Sequence, residues 1–341
     1  MLACMLARRD SCHITEAAMQ RDHQSSAGTA TVPSAKTVLI TGCSSGFGEL
    51  IAKTLASDRH RVFASMRGIS SRNAANAERL RRWARQAGAS LEVVELDVTS
   101  DESVRRAVKQ VLASAGRVDV LVNNAGSSAA GPLEAFSMRQ IQALFDVNAL
   151  GPVRVAKAVL PSMRQRRSGL IIHISSTLGR VLPGSGGLYP ATKWALEGLA
   201  ESLGYEVKAF GIEAVIVEPG AFPSPSISKA VEPQDDEVAA AYAAGTAAVR
   251  RPPIEPGPDY RPPDPQQVAD AVKRLVDTPA GSRPLRTVVG PIFTEGVAEY
   301  NEAYERLKAH LAEVLRRPDQ AVTWGEAELR PGLEGKPGAP A

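Results

Sequence analysis

Apolar and polar positions divide this chain into alternating strands and helices. From Lys36, KTVLITG is a compact β-branched run ending on glycine, the pattern of a strand buried on both faces. Phe47 to Ala56 follows, with Leu50, Ile51, Thr54 and Leu55 at helical spacing. HRVFASMR predicts a second strand, Ala74 to Ala87 a basic helix, and SLEVVELDV a third strand. DESVRRAVKQVLAS opens with acidic residues, which suit the positive end of a helix. RVDVLVNNAG predicts a fourth strand. Met138 to Met163 predicts a long helix interrupted around Gly151 and Pro152. GLIIHISS, a helix from Pro190 to Phe210, and GIEAVIVEPG continue the alternation. A helix from Gln266 to Asp277, the short strand RTVVG and an amphipathic helix from Thr294 to Arg316 complete it.

Strands separated by helices of this length mean βαβ units. The expected fold is α/β: a single doubly wound Rossmann-type domain with a parallel sheet of about seven strands and helices on both faces. The domain is expected over residues 36–317. Within it, residues 221–265 change composition, through SPSIS and an Ala-rich segment to RRPPIEPGPDYRPPDP. Their prolines argue against one continuous helix, and the segment is expected as an insertion over the domain's face, a substrate lid. Residues 318–341 are rich in Gly and Pro and read as a flexible tail. Residues 1–35 read as a disordered arm, or as sequence upstream of a start at Met19. Arg8 and Arg9 follow the short apolar opening, the reverse of a secretory signal.

Chemistry first shows in TGCSSGFG, between the first strand and its helix. Gly42, Gly46 and Gly48 permit a tight turn and close approach of backbone to a pyrophosphate. The helix N-terminus, with Ser44, Ser45 and Phe47 around it, offers N–H groups and a positive dipole end. The glycines are spaced four then two, not two then three as in the common dinucleotide fingerprint. Farther on, Tyr189 and Lys193 sit four apart on a predicted helix and share a face. An ammonium beside a phenol favours the phenolate and lowers its pKa from near 10 toward working pH. Such a tyrosine can give a proton to a carbonyl oxygen or take one from an alcohol.

TGCSSGFG, LDV at Asp97, NNAG at Asn123 to Gly126, Asn148 in FDVNALG, ISS at Ser175 and Ser176, YPATK and EPG occur in one order. In this order the chain resembles the short-chain dehydrogenase/reductase family, over about Thr37 to Pro291. YPATKWALEGLAESL looks like its hydroxysteroid and retinol dehydrogenase branch. The resemblance implies Asn148, Ser176, Tyr189 and Lys193 as the catalytic set. Ser176 would bond the substrate oxygen, and the region of Asn148 would hold a relay water. Ser175 is the rival serine; the separation of 13 between Ser176 and Tyr189 selects Ser176. The resemblance also puts Asp97 and Val98 beside the adenine, and Asn124, Ala125 and Gly126 along the ribose. Pro219, Gly220, Phe222 and Ser224 would lie by the nicotinamide, Ser224 where the family often has Thr. Tyr189 and Lys193 would touch the cofactor too.

Cofactor choice turns on the end of the second strand. NAD-binding sheets usually carry an acid there for the ribose hydroxyl. This chain has Arg67, whose guanidinium suits a 2′-phosphate. NADP(H) is therefore favoured, with NAD(H) possible; Ser45 stands where NADP-preferring relatives often have a basic residue. Leu182, Pro183, Leu188, Phe222 and Trp194 suggest an apolar pocket wall, Trp194 alternatively helix-packing core. His173 reads as a satisfied structural histidine.

Composition narrows the partners. Lys plus Arg is 40 and Asp plus Glu is 37, for a net charge of +3, and aromatics are 5%. That gives neither a basic field nor a stacking surface for nucleic acid. No run of about 18 apolar residues predicts a membrane span. Cys4, Cys12 and Cys43 make no disulfide framework, so a reducing cytoplasmic setting is expected. Cys12, His13 and His23 lack metal-ligand spacing, and no metal is expected. Two helices apolar on more than one face suggest a homodimer or homotetramer. The reading is an NADP(H)-dependent alcohol dehydrogenase or carbonyl reductase acting on a small apolar primary or secondary alcohol, or its carbonyl. The alternative is a non-enzymatic NADP-binding sensor or scaffold of the same fold.

Overall fold

Alternate residues of the strands up to Pro219 enter two separate apolar layers. Val38 and Ile40 of the strand Thr37–Ile40 pack into one, while Leu39 between them packs into the other. On the strand Gly169–Ile174, Leu170, Ile172 and Ile174 join the first layer and Ile171 the second. Strands buried on both sides have no solvent face, hence their nearly unbroken apolar runs.

The structure is a computed structural model that describes residues 35–182, 184, 186–223, 229–246, 261–291 and 294–314. Its strands are β1 (Thr37–Ile40), β2 (Arg61–Met66), β3 (Leu91–Glu95), β4 (Val120–Asn123), β5 (Gly169–Ile174), β6 (Ile212–Pro219) and β7 (Arg286–Val289). They form one seven-stranded sheet in the order β3-β2-β1-β4-β5-β6-β7, every described pairing parallel. The expected doubly wound sheet is present. Its direction of growth reverses between β1 and β4, and ligands of such sheets bind at the strands' C-terminal ends near that reversal.

Helices α1 (Gly46–Ser57) and α2 (Ala74–Ala87) cover the first layer. Helices α3 (Asp101–Ala115), α4 (Met138–Phe145), α5 (Gly151–Arg166) and α6 (Leu188–Lys208) follow along the chain; α3, α5 and α6 cover the second layer. Helix α7 (Asp236–Thr246) lies in the proline-rich insertion. Helices α8 (Gln266–Asp277) and α9 (Thr294–Val314) flank β7 in sequence, and α8 packs into the first layer.

The long helix breaks five residues earlier than expected. Asp146–Leu150 form a π turn, closed by the Gly151 N–H on the carbonyl of Asp146. Gly151 and Pro152 are themselves helical, at the start of α5, where proline is tolerated. Pro152 has no N–H, so the carbonyl of Asn148, four residues back, loses its α-helical donor. Gly151 has a steric reason as well: a Cβ there would lie 2.9 Å from Cγ2 of Val98.

Base and helix of the insertion are both described. Ala129 pairs with Val231 in a parallel bridge, and the Val231 N–H donates to the Ser128 carbonyl at 2.8 Å. The base of the insertion is thereby tied to the loop after β4. Leu188, Phe136 and Leu144 form a small buried cluster there, with Val231 packed against it. Residues 247–260, with four of the insertion's ten prolines, lie outside the described residues, as do 1–34, 315–341, Pro183 and Ser224.

Phe63 of β2 is fully buried among second-layer residues. Phe63→Ala is expected to cost about 3–5 kcal/mol in denaturant unfolding, the range for core aromatics. A cost below about 1 kcal/mol would contradict a closely packed layer.

Candidate active site

The loop after β1 is pressed against the loop after β4. Gly42 has φ of +75°, and a Cβ there would lie 2.7 Å from Cα of Ala125. A Cβ on Gly48 would lie 2.4 Å from both Nδ2 of Asn124 and the Gly42 carbonyl oxygen. Asn124 donates through Nδ2 to the carbonyls of Thr41 and Gly42, at 2.9 and 3.1 Å. Thr41 Oγ1 accepts the N–H groups of Asn124 and Ala125, both at 3.0 Å. Thr41, not singled out from sequence, is therefore the joint between the two motifs. Ser45 caps α1 in extended conformation but makes no side-chain cap bond. The first-turn N–H groups of α1 are thus not consumed by a side chain, as an anion site requires.

At the end of β2, Arg67 is half exposed, with Nη1 4.0 Å from Oδ2 of Asp97. Burial pushes the Asp97 carboxyl up, but two hydrogen bonds from Thr99 and the charges of Arg67 and Arg72 outweigh it, holding the group below its ordinary value. Glu95 accepts the N–H groups of Gly68 and Ile69 at 2.6 and 2.8 Å and so fixes the turn that carries Arg67. Arg79 of α2 reaches the loop from the other side, donating to the Ser44 carbonyl at 3.2 Å and to Glu49 at 2.6 Å. Sequence reading missed Glu95, Arg72 and Arg79 because no local pattern ties them to the glycines.

Ser176, Tyr189 and Lys193 come together where β5 meets α6. Ser176 Oγ accepts the Leu178 N–H at 3.1 Å and also hydrogen-bonds Tyr189. Ser175 differs: its Oγ is buried and has no hydrogen-bond partner among the described residues. Lys193 is buried and donates to the Ile174 carbonyl at 2.9 Å, with Nζ 5.8 Å from the centre of the Tyr189 ring. Burial drags its pKa down to about 8, against the opposing pull of Glu197. Burial also pushes Tyr189 up to about 12, although the Ser176 bond works the other way. The downward shift expected from Lys193 does not appear in the protein alone, because the pocket disfavours any phenolate more than its neighbours favour one.

Asn148 is fully buried on the π turn. Its Oδ1 accepts the Ser127 N–H at 2.8 Å; its Nδ2 donates to the Ser127 carbonyl at 2.8 Å and to Thr192 Oγ1 at 2.9 Å. The side chain is a brace between the loop after β4 and α6. A Cβ on Gly126 would lie 3.4 Å from Asn148 Oδ1 and 3.7 Å from Lys193 Nζ, so the NNAG loop borders this corner.

Other expectations change. Phe222 is buried in the first apolar layer, its ring edge-on to Phe47 at 5.7 Å, and a Cβ on Gly290 would lie 2.7 Å from it. Its ring packs behind the glycine loop instead of lining a substrate wall. Trp194 is 44% exposed and is not helix-packing core. His173 is buried with no hydrogen-bond partner on either ring nitrogen among the described residues, against the expectation of a satisfied histidine; burial and then Lys193 lower it to about 4, and the ring stays neutral. Pro219 pairs with Val289 of β7, and the Gly220 N–H bonds the same residue's carbonyl at 2.8 Å.

Asp58, His60 and Asp277 also gather, with possible ligand atoms within 4.8 Å of one another. Lys273 already bonds the two carboxylates, at 2.9 and 2.5 Å. His60 Nδ1 accepts the Lys36 N–H at 3.1 Å, so Nε2 carries the hydrogen of the neutral ring and offers no lone pair to a metal.

Comparison with known proteins agrees with this geometry. A family model described as short chain dehydrogenase matches residues 36–235. Retinol dehydrogenase 8 of Homo sapiens is 46% identical over 189 residues, 54% of this chain and 58% of that protein. The chain thus aligns with little more than half of that relative's length. A short-chain dehydrogenase from Streptomyces avermitilis is 34% identical and superposes with a TM-score of 0.65, covering 84% of this chain and 99% of that one. An alcohol dehydrogenase from Thermococcus sibiricus, complexed with 5-hydroxy-NADP, is 28% identical with a TM-score of 0.59, covering 75% and 96%. With its glycine loop, NNAG loop and Ser–Tyr–Lys corner set on one parallel sheet, this chain belongs to the short-chain dehydrogenase family.

Proposed function

We propose that the protein is an NADP(H)-dependent oxidoreductase that interconverts an apolar primary or secondary alcohol with its aldehyde or ketone. The observation that carries the reading is the meeting of Ser176, Tyr189 and Lys193 beside a glycine loop too tight for side chains. The site fits a dinucleotide on its own terms. Gly42 and Gly48 leave no room for a Cβ, and α1 begins without a side-chain cap. Gly46, Ser44 and Ser45 would hold the pyrophosphate, Arg67 the 2′-phosphate, and Asp97 and Val98 the adenosine. Asn124, Ala125 and Gly126 would flank the ribose, with Pro219 and Gly220 at the far end. When bound, the nicotinamide supplies or takes the hydride.

This chain's residues handle the proton. In reduction, the Tyr189 hydroxyl gives its proton to the carbonyl oxygen; in oxidation, the phenolate takes the alcohol proton. Ser176, hydrogen-bonded to the same phenol, shares the oxygen on which charge develops. Lys193 supplies a positive charge near the ring and a donor for the ribose. Asn148 braces α6 through Thr192, whose Oγ1 also donates to the Tyr189 carbonyl at 2.7 Å. An apolar substrate suits the exposed Leu182, which lies against Gly187 at the start of α6.

Tyr189→Phe removes only a hydroxyl, so folding and NADPH binding are expected to survive while turnover falls roughly 10²–10⁴-fold. Near-parental turnover would show that another acid works. Lys193→Ala is expected to weaken NADPH binding, read by titration, as well as rate.

Arg67→Asp is expected to erase or reverse a preference for NADPH over NADH. Loss of a charge-assisted contact is worth about 1.5–3 kcal/mol, roughly tenfold or more in Kd. Equal affinity of the parent for both cofactors would remove the NADP reading and leave the oxidoreductase reading intact.

Trp194 and Leu199 expose apolar surface on the outer side of α6. A homodimer or homotetramer formed through this helix would cover them. Light scattering at micromolar concentration should return a multiple of the chain mass; a monomer mass would refute the assembly.

A further inference from the structure

A ring of buried charge lies behind the catalytic corner, and α9 closes it. Arg180 follows the short helical turn Thr177–Gly179 and is buried. Its Cζ lies 4.6 Å from the ring centre of Tyr300 and 4.8 Å from that of Tyr304. Its Nε donates to Asn301 Oδ1 at 2.8 Å, and Asn301 Nδ2 donates to Glu218 at 2.6 Å. Glu218 is completely buried, 3.9 Å from Arg180 and 3.4 Å from Arg286. Arg286 in turn bonds Glu197 and Glu201, one and two turns beyond Lys193 on α6. Tyr300, Asn301 and Tyr304 all belong to α9, beyond the residues matched by the family model.

The position of Arg180 gives this arrangement a consequence for Ser176. The Gly179 N–H bonds the Ser176 carbonyl at 2.8 Å, and the Arg180 N–H bonds that of Thr177 at 3.0 Å. A Cβ on Gly179 would lie 2.9 Å from Ser175 Oγ and 3.1 Å from Cγ of Glu197. The turn is therefore wedged against α6 on one side and drawn toward α9 on the other. Glu218, at the far end of the clamp, directly precedes Pro219 and Gly220.

We propose that Arg180, held between Tyr300 and Tyr304 of α9, is a positioning residue that sets Ser176 against Tyr189, making the C-terminal helix part of the catalytic architecture. Arg180 touches no reacting atom; it acts through the Thr177–Gly179 turn. The proposal rests on the catalytic roles given above to Ser176 and Tyr189.

The test compares Arg180→Lys and Tyr300→Ala with the parent. Arg180→Lys keeps a positive charge opposite Glu218 but loses the flat, stacking guanidinium. Tyr300 is 40% exposed, so Tyr300→Ala removes one jaw of the clamp with little expected effect on folding. Two quantities are read: kcat with NADPH and a ketone at fixed temperature, and hydrogen exchange of the Ser176–Val181 backbone in the cofactor-free protein. The clamp predicts a kcat loss of about tenfold, with KM for NADPH within about twofold, and faster exchange confined to the turn. A purely structural role predicts a lower Tm with kcat and turn exchange unchanged in both variants, which would overturn the proposal. If Arg180→Lys fails to fold, Tyr300→Ala decides alone. If Tyr189→Phe turns over like the parent, the catalytic reading fails, and turn exchange still decides whether the clamp exists.

Discussion

One buried ammonium holds the site together. Lys193 donates to the carbonyl of Ile174, the last residue of β5, and so fastens α6 to the sheet two residues before Ser176. It ties the helix that carries the tyrosine to the strand end that carries the serine. The attachment is costly, since burial drags Lys193 down to about 8. Glu197, one turn on along the same helical face, works against that cost while it pairs with Arg286. A helix of mixed apolar and charged residues is thereby buried on a charged seam, which few helices of this length tolerate without partners.

The same burial sets the acid–base character. Tyr189 is pushed up to about 12 in the protein alone, so its hydroxyl keeps its proton across the working range. This is a sound resting state for a donor: it holds a proton for an incoming carbonyl oxygen and releases it only where charge is stabilised at that place. Ser176 bonds the phenol, and Asn148 with Thr192 fixes the backbone on which the tyrosine sits. The π turn at Asp146–Leu150 belongs to this arrangement, because it carries Asn148, whose side chain reaches both Ser127 and Thr192. Local disruptions of a helix of this kind often sit at functional sites.

What was legible in the sequence was local. Seven short apolar runs announce seven strands, the central ones buried nearly throughout, and Gly42 and Gly48 of TGCSSGFG sit where the chain permits no side chain. The Ser176, Tyr189 and Lys193 spacings survive into space because one strand end and one helix carry them. What was not legible depended on partners far apart in the chain. The break in the long helix moves upstream because Pro152 suits a first turn and Val98 presses on Gly151. Phe222 looked like a pocket wall but packs on Phe47 and Gly290. The pKa of Tyr189 runs opposite to expectation because adjacency to Lys193 was visible and burial was not. Arg180 was silent, its partners being some 120 residues away on α9, at a separation of 121 for Asn301.

The central claim is that Tyr189 carries the proton, and the pH–rate profile of alcohol oxidation tests it most directly. Oxidation needs the phenolate, and the group's pKa lies high, so the oxidised-direction rate should rise with pH over about pH 6–9 in the parent protein. The residual rate of Tyr189→Phe should lose that dependence. A parental rate that is flat or falls with pH, or a Tyr189→Phe protein that keeps the parental slope, would contradict the account.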